Sequence, residues 1–338
     1  MIRRILAAAL AAVLLAACFS FAHAAETAGE TALYTAHING SASLYGGRGT
    51  DRIMYLKENA LILIYAVDPE FVYAEINGQR GYVYRSRIDQ VEPVDPVSTP
   101  PYGVEVFRYT AHTLSDAPVR EAPDENSAAL ITLHAGARFA LIGAQDGWAK
   151  VIYHRQWGYV DTRLLSSLER VKGAADEEAL DAPIAAYTSY YKIITTEANI
   201  GRMKNIDTAC QKLSAITLQP GESLDFNADI GPYTAANGYH KAPVLVSGET
   251  SINYGGGTCQ VSSTLYNVVL QLPGLTVVKR RAHGPSGASY LPHGVDAAVG
   301  SKNLNFIFRN DYDFPIRIDA SAQDGALYIA IWRAKVNE

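Results

Sequence analysis

The sequence is poor in sulfur and has no excess of positive charge, and each shortage excludes a class of protein. Three cysteines and three methionines occur among 338 residues, which is too few for a small domain held together by several disulfides. Lysine and arginine number 29 against 34 acidic residues, for a net charge of -5, so we expect no nucleic-acid partner. No Cys-x-x-Cys or His-x-x-x-His pair occurs, and we therefore predict neither a metal site nor a cofactor.

The composition indicates a folded protein of several domains. Hydrophobic residues make up 48% of the chain and charged residues 19%, values that are typical of globular proteins and exclude a mainly disordered chain. A length of 338 residues corresponds to roughly two or three domains of ordinary size. The sequence therefore predicts more than one hydrophobic core.

The N-terminus has the features of an export signal. Two arginines precede an apolar run at residues 5–17, which is too short to span a bilayer comfortably, and an Ala-x-Ala site ends at Ala24. These features predict a signal peptide over 1–24 and a secreted, extracytoplasmic protein. A second interpretation stays open, in which the Leu-Ala-Ala-Cys sequence ending at Cys18 is a lipoprotein signal and a lipid on Cys18 anchors the protein to the membrane. The mainly apolar residues 19–21, Phe-Ser-Phe, favour plain secretion.

Export leaves two cysteines to explain, Cys210 and Cys259. Outside the cytoplasm such residues tend to pair, so the sequence permits one disulfide between them. It equally permits a free reactive thiol at either position. After the N-terminal run no stretch reaches about 18 apolar residues, so we expect no further membrane-spanning helix.

The first half of the chain contains a tandem repeat. The sequence Tyr-Thr-Ala-His at 34–37 recurs at 109–112, and Gly-Tyr-Val at 81–83 recurs at 158–160. Within each copy, short runs of β-branched and aromatic residues alternate with turn residues. This pattern predicts two small β-barrels.

The second repeat unit, at 109–166, resembles a bacterial SH3-like domain. It contains, in the order typical of that family, Val-Arg at 119–120, Gly-Trp at 147–148 and Trp-Gly-Tyr-Val at 157–160. The first unit, at 34–92, is a weaker match because it lacks the Val-Arg opening. The resemblance implies binding to cell-wall peptides or glycans, although the aromatic residues of both units are equally suited to filling barrel cores.

Two segments have the composition of linkers. Four prolines stiffen the segment at 93–108 between the units, because proline fixes the backbone φ angle. The segment at 167–186 is rich in alanine and acidic residues, which indicates a polar helix or a linker. A third domain follows at 187–334.

The densest signal of the third domain is a glycine-rich motif that ends in Thr258, Cys259 and Gln260. Apolar residues recur at helical spacing from 261 to 272, so Cys259 is predicted to begin a helix. The three glycines allow the backbone to approach a ligand closely, and the partial positive charge at a helix N-terminus favours a thiolate. Cys259 is therefore a candidate nucleophile. A small buried cysteine, or a disulfide with Cys210, is the alternative.

Two downstream residues supply a base and an orienting acid. His283 follows a predicted strand at 275–281, and Asp296 lies in a predicted strand at 295–299. Cysteine, histidine and aspartate in this order suit the roles of nucleophile, base and orienting residue. His293 is a rival base that is closer to Asp296 in the sequence. The alternative for Asp296 is the more common role of aspartate, in which the side chain caps a turn.

The glycine-rich motif resembles the signature of the VanW family, named for a member found in vancomycin-resistance clusters. The resemblance rests on residues 255–267 and extends over about 187–320, where matching positions include Arg202, Arg280, His283, Tyr290 and Asp296. It implies a mixed α+β domain outside the cytoplasm but no particular reaction. Cys210 occupies a position usually filled by a small apolar residue, which weakens the disulfide interpretation. His293 lies where the family varies, which favours His283 as the base.

We therefore predict two SH3-like β-barrels followed by an α+β VanW-like domain, in an exported protein that binds peptidoglycan or wall peptides. In one hypothesis the third domain is a cysteine-dependent amidase, peptidase or transpeptidase, with Cys259 as nucleophile, His283 as base and Asp296 as orienting residue. The glycines and the Gln260 N–H would then stabilise an oxyanion. In the other hypothesis the domain only binds wall ligands and Cys259 is packed. The candidate ligand-binding residues are Gly255, Gly256, Gly257, Gln260, Arg280 and Tyr290.

Overall fold

The computed structural model describes residues 29, 31–96, 99, 101–174, 176, 179–246, 249–284 and 287–335. The predicted signal peptide and Cys18 lie outside these residues. The described chain forms several antiparallel sheets and three α-helices. None of the helices in this part of the chain is long and apolar enough to cross a membrane.

The first repeat unit contains seven strands, which are β1 (Tyr34–Ile38), β2 (Ala42–Tyr45), β3 (Arg52–Leu56), β4 (Leu61–Val67), β5 (Phe71–Ile76), β6 (Gln79–Tyr84) and β7 (Ile88–Pro93). They form one antiparallel sheet in the order β3-β2-β6-β5-β4-β1-β7. Side chains alternate between the two faces of a strand, and Ile38, Ile62 and Ile64 of the inner face are almost fully buried. Closure of this sheet into a barrel stays a prediction.

The second repeat unit contains eight strands, which are β8 (Tyr109–His112), β9 (Ala117–Arg120), β10 (Ala129–Leu133), β11 (Arg138–Leu141), β12 (Gly143–Gln145), β13 (Trp148–Tyr153), β14 (Gln156–Asp161) and β15 (Glu169–Arg170). They form a five-stranded sheet, β10-β9-β14-β13-β12, and a three-stranded sheet, β11-β8-β15. Strand β15 lies in the segment at 167–186, where the described residues form no α-helix. A polar helix is therefore wrong for this segment, because Glu169 instead pairs with Thr110 at the sheet edge.

The two repeat units share one pattern of strand pairing. In the first unit β1 pairs with β4 and β7, β2 with β3 and β6, and β5 with β6. In the second unit β8 pairs with β11 and β15, β9 with β10 and β14, and β13 with β14. The repeated Tyr-Thr-Ala-His sequence lies in β1 and β8, and Gly-Tyr-Val lies in β6 and β14. The sequence repeat therefore marks equivalent strands.

The C-terminal domain combines nine strands with three helices. Its strands are β16 (Ala182–Tyr190), β17 (Thr217–Leu218), β18 (Ser223–Asp225), β19 (Lys241–Val246), β20 (Glu249–Tyr254), β21 (Leu275–Lys279), β22 (Ile307–Asn310), β23 (Ile316–Gln323) and β24 (Ala326–Arg333). They form a four-stranded sheet, β16-β24-β23-β17, a three-stranded sheet, β18-β22-β21, and the hairpin β19-β20. Its helices are α1 (Glu197–Ser214), α2 (Phe226–Ile230) and α3 (Thr258–Val269).

Two of the helices were expected from the periodicity of apolar residues. The helix predicted at 205–216 is α1, and it begins earlier, at Glu197. The acidic Glu197 suits the first turn of a helix because it opposes the partial positive charge there. Helix α3 begins at Thr258, as the position of Cys259 before an apolar periodic run predicts.

The second repeat unit and the C-terminal domain share one hydrophobic core. Phe107 packs against Tyr187 with ring centroids 4.8 Å apart, and its N–H donates to Oε1 of Gln271 at 3.0 Å. Ile152 of the second unit belongs to the same buried cluster. Phe107 comes from the segment at 93–108, so this proline-rich segment contributes to a core instead of acting only as a spacer.

Candidate functional site

Helix α3 begins in a tight loop that places Cys259 in its first turn. Gly257 precedes the helix with a φ of 108°, a left-handed conformation that glycine adopts without strain. Asn205 of α1 is fully buried, and its Nδ2 donates to the carbonyl oxygens of Gly256 at 2.9 Å and His240 at 3.0 Å. Helix α1 therefore holds the loop, and Cys259 lies at a fixed helix N-terminus.

The glycines before Cys259 make room for neighbouring parts of the protein. A Cβ at Gly255 would lie 2.8 Å from Tyr233, and one at Gly256 would lie 2.5 Å from the carbonyl oxygen of Pro243. Both distances are shorter than van der Waals contact, so a larger residue would displace the loop. The space at these two glycines is thus filled by Tyr233 and β19, where the sequence had suggested room for a ligand.

The thiol of Cys259 lies against an extended segment at 295–299. Its Sγ is 3.5 Å from both the backbone nitrogen and the carbonyl oxygen of Val299. Ser263 of α3 binds the same segment, because its Oγ donates to the Ala297 carbonyl at 3.2 Å and accepts from the Ala297 N–H at 2.9 Å. The prediction of a strand at 295–299 is wrong, because helix side chains bind this backbone where a neighbouring strand was expected.

His283 lies between Asp296 and Cys259. Its Nδ1 is 2.6 Å from Oδ2 of Asp296, and its backbone N–H donates to the same oxygen at 2.7 Å. The Cys259 side chain is also within hydrogen-bond reach of the imidazole. With Nδ1 bound to the carboxylate, Nε2 is the ring nitrogen available to the thiol. The structure therefore brings together the three residues that the sequence suggested as nucleophile, base and orienting acid.

Hydrogen bonds set the protonation states of His283 and Asp296. Burial lowers the pKa of the His283 imidazole, but the hydrogen bonds to Asp296 and Cys259 outweigh burial and raise that pKa to about 9. Burial raises the pKa of the Asp296 carboxyl, but its hydrogen bonds to His283 lower it overall. At neutral pH the His283 side chain is therefore an imidazolium that is hydrogen-bonded to the buried Asp296 carboxylate. Its second ring N–H lies close to the Cys259 thiol.

Arg280 holds Asp296 in place. Its Nε donates to the backbone carbonyl of Asp296 at 2.6 Å, and its Nη2 donates to the Gly294 carbonyl at 2.8 Å. The same Nη2 is 3.3 Å from Oδ1 of Asp296, and the guanidinium lies over the ring of Tyr266. These contacts orient Asp296, and the ligand-binding role that the sequence suggested for Arg280 stays a prediction.

His293, the rival base, has a different environment. Its carbonyl oxygen accepts a hydrogen bond from Nη2 of Arg85 at 2.9 Å. Oδ2 of Asp296 lies 2.6 Å from the His283 ring, and Oδ1 lies 3.3 Å from Nη2 of Arg280. The geometry thus favours His283 as the base. Among the described residues no cluster of histidine, cysteine, aspartate and glutamate is arranged to hold a metal ion.

The cysteines of the described chain are both free. Cys210 lies on the buried face of α1 and is 1% exposed, and burial raises the pKa of its thiol. Cys259 is only partly buried. The disulfide that the sequence permitted is therefore absent, and the two thiols occupy different environments.

The backbone N–H groups at the start of α3 are not equally available. The Gln260 N–H donates to the Gly257 carbonyl at 2.9 Å, and the buried Gln260 side chain donates to Ser189 and to the carbonyl of Tyr190. The predicted oxyanion contact from the Gln260 N–H is therefore wrong, because this donor is already used. The Cys259 N–H makes no hydrogen bond to any residue that the structure describes, so it is the free donor here.

A cleft of about 740 Å³ lies near the site, although Cys259, His283 and Asp296 do not line it. Its lining includes Gly300, which follows Val299, and Tyr233, which packs against the glycine loop. Charged and amide side chains also line it, namely Asp225, Asn227, Asn253, Lys279, Lys302 and Asn305. Its volume is large enough for a peptide-sized ligand.

A loop at 287–293 carries Tyr290 to the thiol and is held by an arginine from each repeat unit. Arg85 of the first unit is 2% exposed and donates to a carbonyl of this loop at 2.9 Å. Arg155 of the second unit donates to two of its carbonyls, at 3.2 and 3.4 Å. Neither arginine could be predicted from the sequence, because no local pattern reports contacts between residues so far apart in the chain.

Two parts of the chain match known families. Residues 201–332 match the family described as VanW like protein, and residues 115–166 match the bacterial SH3 domain. The resemblance to both families is thereby confirmed, and the chain is a multidomain protein with a bacterial SH3 domain and a VanW domain. The first repeat unit lies outside both matches, although its strands pair like those of the second.

Two curated relatives match part of the chain. The uncharacterized protein YoaR of Bacillus subtilis (strain 168) is 36% identical over 153 residues, which cover 45% of this chain and 48% of the relative. The vancomycin B-type resistance protein VanW of Enterococcus faecalis (strain ATCC 700802 / V583) is 28% identical over 124 residues, which cover 36% of this chain and 45% of that protein. The chain thus spans about half the length of the curated relatives it matches.

Solved structures with some likeness to the chain include NlpC1 and NlpC2 from Trichomonas vaginalis. NlpC1 is 12% identical with a TM-score of 0.17, covering 95% of this chain and 99% of its own. NlpC2 is 12% identical with a TM-score of 0.16, covering 43% of this chain and 52% of its own. Scores this low carry no argument about the fold.

Proposed function

We propose that the protein is an exported, cell-wall-associated enzyme that uses Cys259 to transfer or hydrolyse acyl groups of wall peptides, while its SH3 units bind peptidoglycan. The observation that carries the proposal is one imidazole in contact with both a buried carboxylate and the thiol at a helix start. These are the elements of nucleophilic catalysis by a thiol. A merely packed cysteine has no need of such a partner.

The first half of the reaction forms a thioester. The Cys259 thiolate attacks the carbonyl carbon of a peptide bond, and the carbonyl oxygen takes up the negative charge. The free Cys259 N–H and the partial positive charge of the α3 N-terminus stabilise this oxyanion. The His283 imidazolium then gives its proton to the leaving amine, the C–N bond breaks, and the acyl group stays on sulfur.

The second half of the reaction releases the acyl group. Neutral His283 accepts a proton from an incoming nucleophile, which attacks the thioester and displaces the Cys259 thiolate. Water as the nucleophile gives a hydrolase, and the amine of a second wall peptide gives a transpeptidase. Throughout, Asp296 keeps Nδ1 of His283 protonated and the ring oriented toward the thiol.

The wall itself is the proposed partner of the repeat units. The match of the second unit to bacterial SH3 domains supports this role, and the shared strand pairing extends it to the first unit. Export through the N-terminal signal, with or without a lipid on Cys18, would bring the protein to its substrate. The N-terminal segment lies outside the residues that the structure describes.

The test uses the purified protein without residues 1–24 and peptides released from bacterial cell walls. We expect new cleavage or exchange products by mass spectrometry, and an adduct on Cys259 when the reaction is quenched in acid. Cys259→Ala should abolish both, whereas Cys210→Ser should leave both unchanged because Cys210 is buried in the core. Full activity of Cys259→Ala would refute the proposal.

A second candidate function is binding without catalysis. The contact of Sγ with both backbone atoms of Val299 gives Cys259 a structural role that such a protein would need. In that case Cys259→Ser should bind wall fragments as the native protein does, and no product should form with either. Turnover that depends on Cys259 would exclude this candidate.

A further inference from the structure

Two polar side chains near Cys259 stand out, namely Arg202 of α1 and Tyr290 of the loop at 287–293. Among the described residues Arg202 has no charged partner, and the Tyr290 hydroxyl has no hydrogen-bond partner. Neither side chain belongs to the pair formed by His283 and Asp296. Their surroundings indicate which kind of ligand they would bind.

Arg202 packs against the glycine loop that precedes Cys259. A Cβ on Gly257 would lie 3.0 Å from Cγ of Arg202, so the arginine side chain runs along this loop. Its Nη2 donates to Oε1 of Gln260 at 2.5 Å, and Gln260 in turn is fixed by Ser189. The partner of the guanidinium is thus a neutral amide next to the nucleophile.

No carboxylate among the described residues forms an ion pair with Arg202. Burial lowers the pKa of the Arg202 guanidinium, and its neighbours Tyr290, Tyr191 and Cys259 oppose that shift. Arg202 is half-buried, and a cation withdrawn from water is costly unless an anion neutralises it. Arg202 therefore keeps a positive charge beside the thiol without a fixed counter-charge.

Tyr290 is an electrostatic neighbour of both Arg202 and Cys259. Its hydroxyl oxygen is buried and makes no hydrogen bond to the described residues within normal geometry. Ser263 lies near this hydroxyl, and its Oγ donates to and accepts from Ala297. Burial and the nearby Cys259 raise the pKa of the Tyr290 hydroxyl, so it stays protonated and is a hydrogen-bond donor.

We propose that Arg202 and Tyr290 form an anion-binding subsite beside Cys259, which takes a carboxylate of the substrate close to the carbonyl that the thiol attacks. A carboxylate accepts hydrogen bonds from a guanidinium and a hydroxyl and neutralises the buried charge. That the substrate is a peptide rests on the proposed function, whereas the presence of the subsite does not.

Two alkylating reagents test the subsite without a known substrate. Iodoacetate carries a carboxylate next to the carbon that the thiolate attacks, and iodoacetamide carries a neutral amide at the same position. We measure both rates on Cys259 in a Cys210→Ser background. The ratio of the two rates cancels any change in the reactivity of the thiol itself.

Arg202→Met should lower the iodoacetate to iodoacetamide ratio on the order of tenfold, because the reagent loses a close counter-charge in a site of low dielectric. The matched control is Arg309→Met, which removes an exposed cation that Asp311 already pairs with and should leave the ratio unchanged. An unchanged ratio in Arg202→Met would overturn the proposal, since an arginine that served only the thiolate would alter both rates equally.

Tyr290→Phe keeps the test decisive if Arg202→Met fails to fold. It should lower the ratio by a smaller factor, because it removes one donor and no charge. Arg202→Lys should keep most of the native ratio, since the charge remains. An unchanged ratio in Tyr290→Phe, with Arg202→Met unfolded, would also count against the subsite.

Wall peptides provide the second arm. With matched peptides whose carboxyl group is free or amidated, Arg202→Met should raise KM for the free acid and leave KM for the amide unchanged. A fall in kcat for both peptides would instead assign Arg202 to the oxyanion of the transition state and overturn the carboxylate subsite. The alkylation ratio stays informative even if Cys259→Ala retains activity, so failure of the subsite and failure of the proposed function give different results.

Discussion

Asp296 is the residue whose contacts define the site. It is 1% exposed and accepts two hydrogen bonds from His283, one from the ring and one from the backbone. Asp296→Asn removes the charge that favours the imidazolium and changes the hydrogen-bond pattern at Nδ1. We expect turnover of wall peptides to fall by about 10²–10⁴, measured as kcat with the fold checked by circular dichroism.

The control for this change is Asp311→Asn. Asp311 forms an exposed pair with Arg309, so its substitution should leave turnover unaltered. A small effect of Asp296→Asn, comparable to that of the control, would mean that His283 does not act through this carboxylate.

The raised pKa of His283 couples folding stability to pH. The imidazole has an ordinary pKa of 6.5 and a pKa of about 9 in the folded protein, so the folded state holds the proton more tightly. This stabilisation is fully present below pH 6.5 and is lost as the pH rises to about 9, by up to about 3 kcal/mol. The free energy of unfolding, measured in urea across this range, should fall accordingly.

The sign of this effect is tested by His283→Gln. This variant should lose the fall in stability between pH 6.5 and about 9 that the raised pKa predicts. His112→Gln, which changes an exposed histidine, should keep it. The same slope in native protein and His283→Gln would show that another group is responsible.

Single residues were predicted from the sequence where local pattern and chain order were enough. Helical spacing after the glycines placed Cys259 at a helix start, and the order of His283 and Asp296 suggested a pair. From the sequence, Arg202 was identified only as a position that matches the VanW family. Its guanidinium forms no ion pair among the described residues, and this becomes apparent only once its neighbours in space are known.

At the scale of elements, helix α3 does more than present the thiol. Its polar residues Ser263 and Asn267 bind the backbone of Ala297 and Val295, and this places Asp296 beside the helix. Ser263→Ala would leave the buried Ala297 N–H without an acceptor, which costs about 1–3 kcal/mol. We expect this loss in the free energy of unfolding, together with a lower kcat.

Ser167→Ala serves as the comparison for this change. Ser167 is exposed, so its substitution should leave both the unfolding free energy and kcat within error of the native values. Native stability in Ser263→Ala would mean that the extended segment does not depend on the helix for its position.

Helices and strands were predicted well where the spacing of apolar residues alone decides the structure. They were predicted poorly where the neighbouring element that satisfies the backbone decides it. Helix α3 follows from apolar spacing. The segment at 295–299 alternates like a strand, but the serines and the asparagine of a helix satisfy its backbone. The polar residues within an otherwise buried helix were the available signal, since a helix that buries Ser262 and Ser263 needs polar groups to face them.

At the scale of the whole molecule, the repeat units hold part of the site. Arg85 and Arg155 bind carbonyl oxygens of the loop that carries Tyr290. The double substitution Arg85→Met and Arg155→Met should release this loop and lower kcat by about tenfold or more. Amides of the loop should exchange hydrogen faster, while binding to wall fragments is retained.

Arg163→Met is the control, because Arg163 is exposed and pairs with Asp161 and Glu125 at the surface. It should change neither loop exchange nor kcat. Native exchange rates in the double variant would contradict the idea that the repeat units position the loop.

Domain architecture was predictable from repeats and motifs, but contact between the domains was not. The repeat units and the glycine-rich motif could each be recognised from a local pattern in the sequence. The segment at 93–108 was identified as a spacer from its prolines, yet Phe107 lies in a core shared with the C-terminal domain. Composition reports the stiffness of a segment and does not report what the segment packs against.

The shared core also fixes the geometry with which this protein would work on a surface. If the repeat units bind a glycan strand, the thiol reaches that strand at one distance and one angle, because Phe107 and Ile152 pack in the same core as the C-terminal domain.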